Sequence, residues 1–337
     1  MNALANGPSA DVERAFARAR ALVAEDLARV DRLVVERLES RVPLIPQLAR
    51  HLVAAGGKRI RPLLTLLAAR LCGYAGSRHV GLAACVEFIH TATLLHDDVV
   101  DGSELRRGMP SANAIWGNKA PVLVGDFLFS RAFQLMVADG GLRVLEILSR
   151  ASAIIAEGEV AQLGITGDVE ADEERYLAVI EAKTAALFEA ACRVGAAVAG
   201  RDEETEEKLG AYGRNLGIAF QLVDDALDYA ADRERLGKSL GDDFREGKIT
   251  LPVIVAIARG SATERAFWRR TLAELDQRPG DFERAVELVR RHDAIGETLR
   301  RAQAFGEAAK AALSGFPASP LRTAMLDLVD FAIARAH

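Results

Sequence analysis

The chain has 337 residues, of which 50% are hydrophobic and only 6% aromatic, and its formal net charge at pH 7 is -5. This charge excludes the general basic field that nucleic-acid-binding proteins use, so we expect no nucleic-acid partner. The length is sufficient to bury a large core, and the excess of Ala and Leu over β-branched residues favours helices.

Helical spacing of apolar residues recurs along the chain, with Gly, Pro, Ser or Asp at most breaks. Residues 10–40 predict one N-terminal amphipathic helix for packing or dimerisation, which Pro43 and Pro46 then interrupt. No alternating strand or linker divides the chain, so we predict an all-α fold with one domain over residues 1–337. The remaining predicted helices cover residues 62–71, 80–100, 112–137, 142–163, 173–198, 203–229, 251–258, 262–275 and 282 to the end.

Other features indicate a cytoplasmic protein that makes at most peripheral membrane contact. The N-terminus has acidic residues early and does not read as a secretory signal. Charges interrupt the most apolar stretches, so none is expected to cross a membrane. Three widely spaced cysteines suggest neither a zinc site nor a disulfide framework, and we expect buried, reduced thiols. They are Cys72, Cys85 and Cys192.

An acidic pattern occurs twice within apolar helices, as HDDVVD and as QLVDDALDY. The outer aspartates of each motif are four residues apart, so they project from one helix face on successive turns. Such carboxylates need compensation by cations, and Mg²⁺ suits them because it takes one or two carboxylates together with phosphate oxygens and water. A solvated helix end would explain one such cluster more easily than two. The motifs contain Asp97, Asp98, Asp101, Asp224, Asp225 and Asp228.

Basic residues accompany these motifs. Segment GGKRIRP combines a flexible Gly pair, several cations and Pro62, which can open a helix, and this combination suits a diphosphate. Arg106 and Arg107 add positive charge soon after the first acidic motif. The segment from 231 to 249 is rich in Gly and charge without an apolar stripe, which predicts a functional loop. Together these residues predict a site for a diphosphate with an apolar tail.

The sequence resembles the trans-isoprenyl diphosphate synthase family from GGKRIRP at 56–62 to GKITLP at 247–252. Both DDxxD motifs, the RRG after the first, the GNKAPVLVGDFLFSRAF block and the GIAFQLVDDALD block occur in family order. The resemblance implies the isoprenoid synthase fold, a helical bundle around a deep central cavity. One departure is Ile249, where many members have a different residue.

The resemblance also implies a mechanism and roles for single residues. Two or three Mg²⁺ ions on the six aspartates would hold an allylic diphosphate, farnesyl or geranylgeranyl, and isopentenyl diphosphate would attack the allylic cation. Loss of a proton would leave a chain longer by one unit. The implied isopentenyl diphosphate site contains Lys58, Arg61, His90 and Arg107. The implied allylic diphosphate site contains Arg106, Lys183, Thr184, Gln221, Lys238 and Lys248.

Product length depends, in this family, on residues just before the first DDxxD motif. Position 92 lies about 7.5 Å of helical rise deeper than Asp97, in the path of the tail. It is Ala92, with Thr93 beside it, where short-chain members often place an aromatic ring. The tail could then reach the level of Phe88. We therefore predict a product of about eight to ten units, as in the quinone side-chain members.

Three alternatives stay open at this point. A shorter-chain farnesyl or geranylgeranyl diphosphate synthase is disfavoured by Ala92. A terpene cyclase would lack the second full DDxxD motif and GGKRIRP. A non-catalytic partner subunit would be expected to lack motif aspartates that this chain retains. Family analogy also implies a homodimer, although the sequence does not indicate which face would be used.

Overall fold

The computed structural model describes residues 10–335 except 55, 107, 140 and 231–240. Within these ranges the regular secondary structure is helical apart from one short antiparallel hairpin, which confirms the all-α prediction. The hairpin pairs β1 (Leu105–Arg106) with β2 (Met109–Pro110). The helices are α1 (Ala10–Ala21), α2 (Ala24–Arg37), α3 (Leu44–Ala54), α4 (Ile60–Leu71), α5 (Arg78–Val100), α6 (Ala112–Trp116), α7 (Lys119–Asp139), α8 (Leu142–Leu163), α9 (Glu173–Ile180), α10 (Ala186–Val198), α11 (Glu203–Asp228), α12 (Asp242–Arg245), α13 (Leu251–Arg259), α14 (Ala262–Trp268), α15 (Asp281–Arg291), α16 (Ala294–Ala312) and α17 (Pro320–Ala334), with π-helical turns at Glu181–Ala185 and Arg269–Ala273.

The prediction of one helix over residues 10–40 was wrong, because the chain breaks between α1 and α2. The break allows the two helices to pack on different partners. Helix α1 packs on α17, where the Phe16 and Phe331 rings stack with centroids 4.4 Å apart, and α2 packs on α5. The N-terminal segment therefore joins the C-terminal helix to the helix of the first acidic motif.

Other predicted helices were also too long. The helix expected over 112–137 is interrupted at Gly117, whose φ of 71° is in the left-handed region that glycine tolerates. The segment from 282 to the end forms three helices, and Asp293 adopts a φ of 50° at the first break. Helix α3 was missed because Pro46 suggested an interruption. Pro46 lies in the first turn, where no intrahelical hydrogen bond is lost.

Helix α10 brings the two acidic motifs to one side of the molecule. It packs against α5, which carries the first motif, and against α11, which carries the second. Helices α4, α7 and α8 complete the packing around α5 and α10, while α16 covers α11. The three cysteines are buried, as predicted, and none of them forms a disulfide with another described residue.

One helix required a correction on membrane crossing. The segment Lys119–Ala138 of α7 is long and apolar enough to cross a membrane by length and composition. The charge of Asp126 within this stretch was expected to rule this out. In the fold, 44% of this segment is buried, and α7 packs along α5.

Candidate active site

The first acidic motif lies at the C-terminal end of α5, and its aspartates have different environments. Asp98 is buried and accepts a hydrogen bond from Arg106 Nε at 2.8 Å. Asp97 faces Lys183, whose Nζ is 3.9 Å from Asp97 Oδ2. Burial raises the pKa of Asp97 to about 7, and Glu159 and Asp101 add to the increase while Lys183 opposes it.

Arg106 is placed by the β1–β2 hairpin, which local hydrogen bonds hold against neighbouring helices. Ser111 Oγ donates to Ser103 O at 2.6 Å, and Asn113 Nδ2 donates to the same oxygen at 3.0 Å. His51 of α3 lies 2.8 Å from Pro110 O through Nε2. The hairpin therefore returns Arg106 to the aspartate that precedes it by eight residues.

The second motif lies at the C-terminal end of α11, and its aspartates also have different environments. Asp225 is buried, with Tyr176 Oη donating to it at 2.5 Å and Gln221 Nε2 at 2.7 Å. Asp224 accepts from Arg335, near the end of the described chain. Burial, with Asp243 close by, raises the pKa of Asp225 to about 7.

Asp228 receives the backbone of the segment that follows the second motif. The backbone N–H groups of Gly241 and Asp243 donate to its carboxylate at 3.2 and 3.1 Å. Burial and the charge of Asp243 nevertheless raise the pKa of Asp228 to about 8. These hydrogen bonds hold residues 241–243 against the end of the second motif.

Lys183 and Thr184 belong to the π-helical turn between α9 and α10, and π turns often occur at functional sites. Lys183 Nζ donates to Glu159 Oε2 at 2.8 Å, in addition to its approach to Asp97. Thr184 Oγ1 donates to Gln221 Oε1 at 2.9 Å. Three residues assigned to the allylic diphosphate thus lie beside both acidic motifs.

Lys248 connects the loop after the second motif to the first motif. Its Nζ lies 2.9 Å from Asp101 Oδ2 and 2.5 Å from Glu246 Oε2. Burial alone would lower the pKa of Lys248, but Asp243, Asp101 and Glu246 together raise it above its ordinary value. The lysine is therefore a full cation in the site.

Lys183 and Lys248 line a cavity of about 550 Å³ that includes space open to solvent. Its wall also contains Thr184, Gln221 and Asp225. Apolar side chains such as Val179 and Ile180 contribute the remaining surface. The cavity thus combines cations, carboxylates and apolar groups, as the sequence predicts.

The residues predicted to bind the second diphosphate start at the N-terminus of α4. Arg61 Nη1 donates to His90 Nε2 at 3.0 Å, so these two residues meet. Lys58 Nζ lies 4.3 Å from the centre of the Phe331 ring, and burial, with Arg335 nearby, lowers its pKa. Arg59, between them, has a φ of 52° and donates to the buried Glu87.

Two predicted phosphate ligands, Arg107 and Lys238, lie outside the described residues. The three chain-length residues lie on α5, deeper than the first motif. Ala92 and Phe88 are buried one turn apart, and Phe88 borders a second cavity of about 330 Å³ with Thr91. Thr93 is half-buried, and its hydroxyl donates to His90 O at 2.8 Å.

The donor set suits a hard divalent cation. It consists of carboxylates, and burial raises the pKa of three of them, Asp97, Asp225 and Asp228. Within the described ranges no three His, Cys, Asp or Glu side chains converge closely enough to form a complete metal site. Phosphate oxygens and water would have to complete the coordination, which is the usual arrangement for Mg²⁺.

Sequence reasoning missed three residues of this site. Glu159 contacts Lys183, Tyr176 donates to Asp225, and Arg335 donates to Asp224. Arg335 and Asp224 are 111 positions apart, and no spacing in the sequence links them. Glu159 follows a glycine in a helix near the site, but a helical glutamate is ordinarily read as solvated.

Comparisons with known proteins agree with this geometry. A family model described as polyprenyl synthetase matches residues 42–289. Octaprenyl diphosphate synthase of Escherichia coli is 49% identical over 314 residues, covering 93% of this chain and 97% of that protein.

Two solved structures are also similar. Polyprenyl synthase from Caulobacter crescentus, complexed with calcium and isoprenyl diphosphate, has a TM-score of 0.93 and 53% identity, covering 96% of this chain and 98% of that one. Decaprenyl diphosphate synthase from Rhodobacter capsulatus has a TM-score of 0.91 and 51% identity, covering 96% and 99%.

Proposed function

The chain belongs to the polyprenyl synthetase family, and we propose that it is a long-chain all-trans-polyprenyl diphosphate synthase. The relatives at 49% and 51% identity are named as octaprenyl and decaprenyl synthases, which supports a product of about eight to ten units. The observation that carries the proposal is the joint placement of both acidic motifs with Lys183 and Lys248.

We propose that the allylic diphosphate, farnesyl or geranylgeranyl, binds between the two motifs. Arg106, Lys183 and Lys248 would hold its phosphate oxygens, with Lys238 and the Thr184–Gln221 pair in support. Two or three Mg²⁺ ions on the aspartates would stabilise the departing diphosphate. The Caulobacter relative holds calcium together with an isoprenyl diphosphate, which supports a divalent ion here.

Isopentenyl diphosphate would occupy the second anion site, formed by Lys58, Arg61, His90 and Arg107. The contact between Arg61 and His90 supports this assignment, because it brings two of the four predicted ligands together between α4 and α5. In the reaction, the allylic C–O bond breaks, a C–C bond forms to the isopentenyl double bond, and a proton is lost. The released diphosphate is the second product.

The tail of the growing product would descend past Ala92 toward Phe88. Both side chains are buried on one face of α5, and the smaller lies nearer the aspartates. The cavity beside Phe88 is bordered by apolar residues of α2, α3 and α7, including Val34, Leu52 and Leu128. This space supports a long product, since an early aromatic stop is absent at position 92.

The alternative of a non-catalytic partner subunit is disfavoured by the ion pairs of the site. Arg106, Lys183, Lys248 and Arg335 each approach a motif aspartate, so the acidic motifs keep positively charged counterparts. We further propose a cytoplasmic homodimer that supplies the side chain of a quinone. These proposals rest on family analogy.

Release of diphosphate tests the proposed reaction. The purified protein should release one diphosphate for each isopentenyl diphosphate consumed, and only when an allylic diphosphate and Mg²⁺ are both present. Asp97→Ala, which removes a motif carboxylate, is expected to reduce this rate by at least about a hundredfold. Diphosphate release without isopentenyl diphosphate would instead indicate hydrolysis or cyclisation and would contradict the proposal.

A further inference from the structure

Glu159 of α8 lies among the charged groups of the site, and neither acidic motif contains it. Its Oε2 accepts from Lys183 Nζ at 2.8 Å, while the same nitrogen is 3.9 Å from Asp97 Oδ2. Its other oxygen, Oε1, is buried and has no hydrogen-bond partner among the described residues. A buried carboxylate oxygen without a donor is costly, so such groups usually serve another purpose.

We propose that Glu159 is a positioning residue for prenyl transfer, holding Lys183 away from Asp97 until the allylic diphosphate arrives. This inference rests on the proposed function. The distances favour Glu159 over Asp97 as the partner of Lys183 in the ligand-free protein, because only the shorter one is a hydrogen bond. Asp97 therefore remains available to a divalent cation.

The backbone next to Glu159 independently supports this role. A Cβ atom at Gly158 would lie 2.7 Å from Ala182 Cβ and 2.9 Å from the backbone nitrogen of Lys183. Only a glycine allows α8 to approach the π-helical turn so closely. The Gly158–Glu159 pair thus contacts the backbone and the ammonium group of the same lysine.

Loss of the Glu159 charge would leave Lys183 with Asp97 as its nearest described acidic partner. The lysine would then neutralise a carboxylate that the divalent cation needs, and it would be withdrawn from the diphosphate. Isopentenyl diphosphate would be little affected, because Glu159 bears on Lys183 and Asp97, whereas the second anion site is built around Arg61 and His90. The predicted defect is therefore selective for the allylic substrate.

The test compares Glu159→Gln with Glu157→Gln, which makes the same chemical change at an exposed position of α8. We expect the first variant to raise KM for the allylic diphosphate about tenfold, the effect of one charge-assisted hydrogen bond. KM for isopentenyl diphosphate should stay within about twofold. Glu157→Gln should leave both constants unchanged.

A second experiment, in Lys183→Met protein, tests whether Glu159 acts through Lys183. In Lys183→Met protein, Glu159→Gln should cause no further increase in the allylic KM, because the two changes are coupled. Calorimetric binding of inorganic diphosphate with Mg²⁺ should weaken by a similar factor in Glu159→Gln alone. This binding measurement tests the role of Glu159 even if the wild-type protein forms no prenyl product. The absence of a prenyl product would contradict only the proposed function.

The inference is overturned by any of three results. The first is an unchanged allylic KM in Glu159→Gln. The second is an equal increase of the allylic KM by Glu159→Gln in wild-type and Lys183→Met protein. The third is undiminished binding of inorganic diphosphate to Glu159→Gln. Gly158→Ala provides a further check, since displacement of the π-helical turn should reproduce the selective allylic defect. An equal rise in both KM values would indicate general damage and would contradict the proposed role.

Discussion

Lys248 Nζ lies 2.9 Å from Asp101 Oδ2, although 147 positions separate the two residues. The contact joins the loop after the second acidic motif to the last aspartate of the first. Lys248 also contacts Glu246, so its ammonium group is held between the Asp101 and Glu246 carboxylates in the ligand-free protein. Binding of a divalent cation to Asp101 would free this charge to contact a diphosphate.

Replacement of Lys248 by Met should therefore weaken allylic diphosphate binding. We expect KM for this substrate to rise at least about tenfold, because a charge-assisted contact to phosphate is lost. Lys208→Met is a matched control, since Lys208 pairs with Glu204 on the partly exposed surface of α11. Steady-state kinetics with each substrate varied in turn would show the effect. Equal KM values in both variants would contradict the assignment.

The buried aspartate of the first motif is expected to act differently from its neighbour. Asp98 accepts from Arg106, so Asp98→Asn should raise the allylic KM by loosening that arginine. Asp97→Asn should instead raise the Mg²⁺ concentration needed for half-maximal rate by about tenfold or more. Magnesium titrations of both variants at saturating substrates provide the measurement. If both variants need the same Mg²⁺ concentration for half-maximal rate, the proposed difference between Asp97 and Asp98 is wrong.

The outer aspartates were predictable from sequence, while the partners of the inner aspartates were not. Residues four apart on a helix share a face, so the spacing alone predicts that Asp97 and Asp101 project from the same side of α5. Tyr176 reaches Asp225 from another helix, 49 positions away, and only the packing of α9 on α11 brings them together. Long-range contacts of this kind leave no periodic signal in the chain.

Helix boundaries show a similar limit. The apolar pattern continues through Gly117 and Asp293, so the predicted helices ran across both positions. Both residues adopt the left-handed backbone conformation, which interrupts a helix and which the apolar periodicity does not signal. In contrast, the prediction for α8 matched its observed bounds, since one uninterrupted face of this helix packs on the core.

Tyr176→Phe should destabilise the protein by about 1–3 kcal/mol. The change removes the hydroxyl that donates to Asp225 at 2.5 Å and leaves a buried carboxylate oxygen without that donor. Urea unfolding at pH 8 would measure the loss. Tyr74→Phe is the control, because the half-exposed Tyr74 hydroxyl accepts a long hydrogen bond, 3.4 Å, from the Arg78 backbone nitrogen. An equal change in both variants would contradict the importance of the Tyr176 bond.

The raised pKa values of Asp97 and Asp228, about 7 and about 8 against 3.8 ordinarily, predict a dependence on pH. Between about pH 4 and pH 8 the folded protein binds more protons at these groups than the unfolded chain does, so they reduce stability as pH rises. Divalent cations bind the deprotonated carboxylates. The increase in Tm caused by Mg²⁺, relative to chelator, should therefore be larger at pH 8 than at pH 6.

The control for this prediction is Asp228→Asn, which removes the carboxyl group whose pKa is raised to about 8. Its Mg²⁺-dependent increase in Tm should vary less with pH than that of the wild-type protein. An increase that is constant from pH 6 to pH 8 in the wild-type protein would contradict the account.

Product length should respond to the size of residue 92. Ala92→Phe places a ring about one turn above Phe88, where the tail of the product would descend. We expect products to stop after fewer units while the first condensation proceeds within about threefold of the wild-type rate. Phe88→Ala, which enlarges the deeper cavity, should not shorten the product. Products of wild-type length from a folded Ala92→Phe protein would exclude a path for the tail past residue 92.

The length of the wild-type product tests the central claim most directly. The protein would be incubated with Mg²⁺, farnesyl diphosphate and labelled isopentenyl diphosphate, and the dephosphorylated products would be sized by chromatography. The account predicts a ladder that ends at about eight to ten isoprene units, as the open position at Ala92 and the similarity to long-chain synthases indicate. A ladder that ends at three or four units would contradict it.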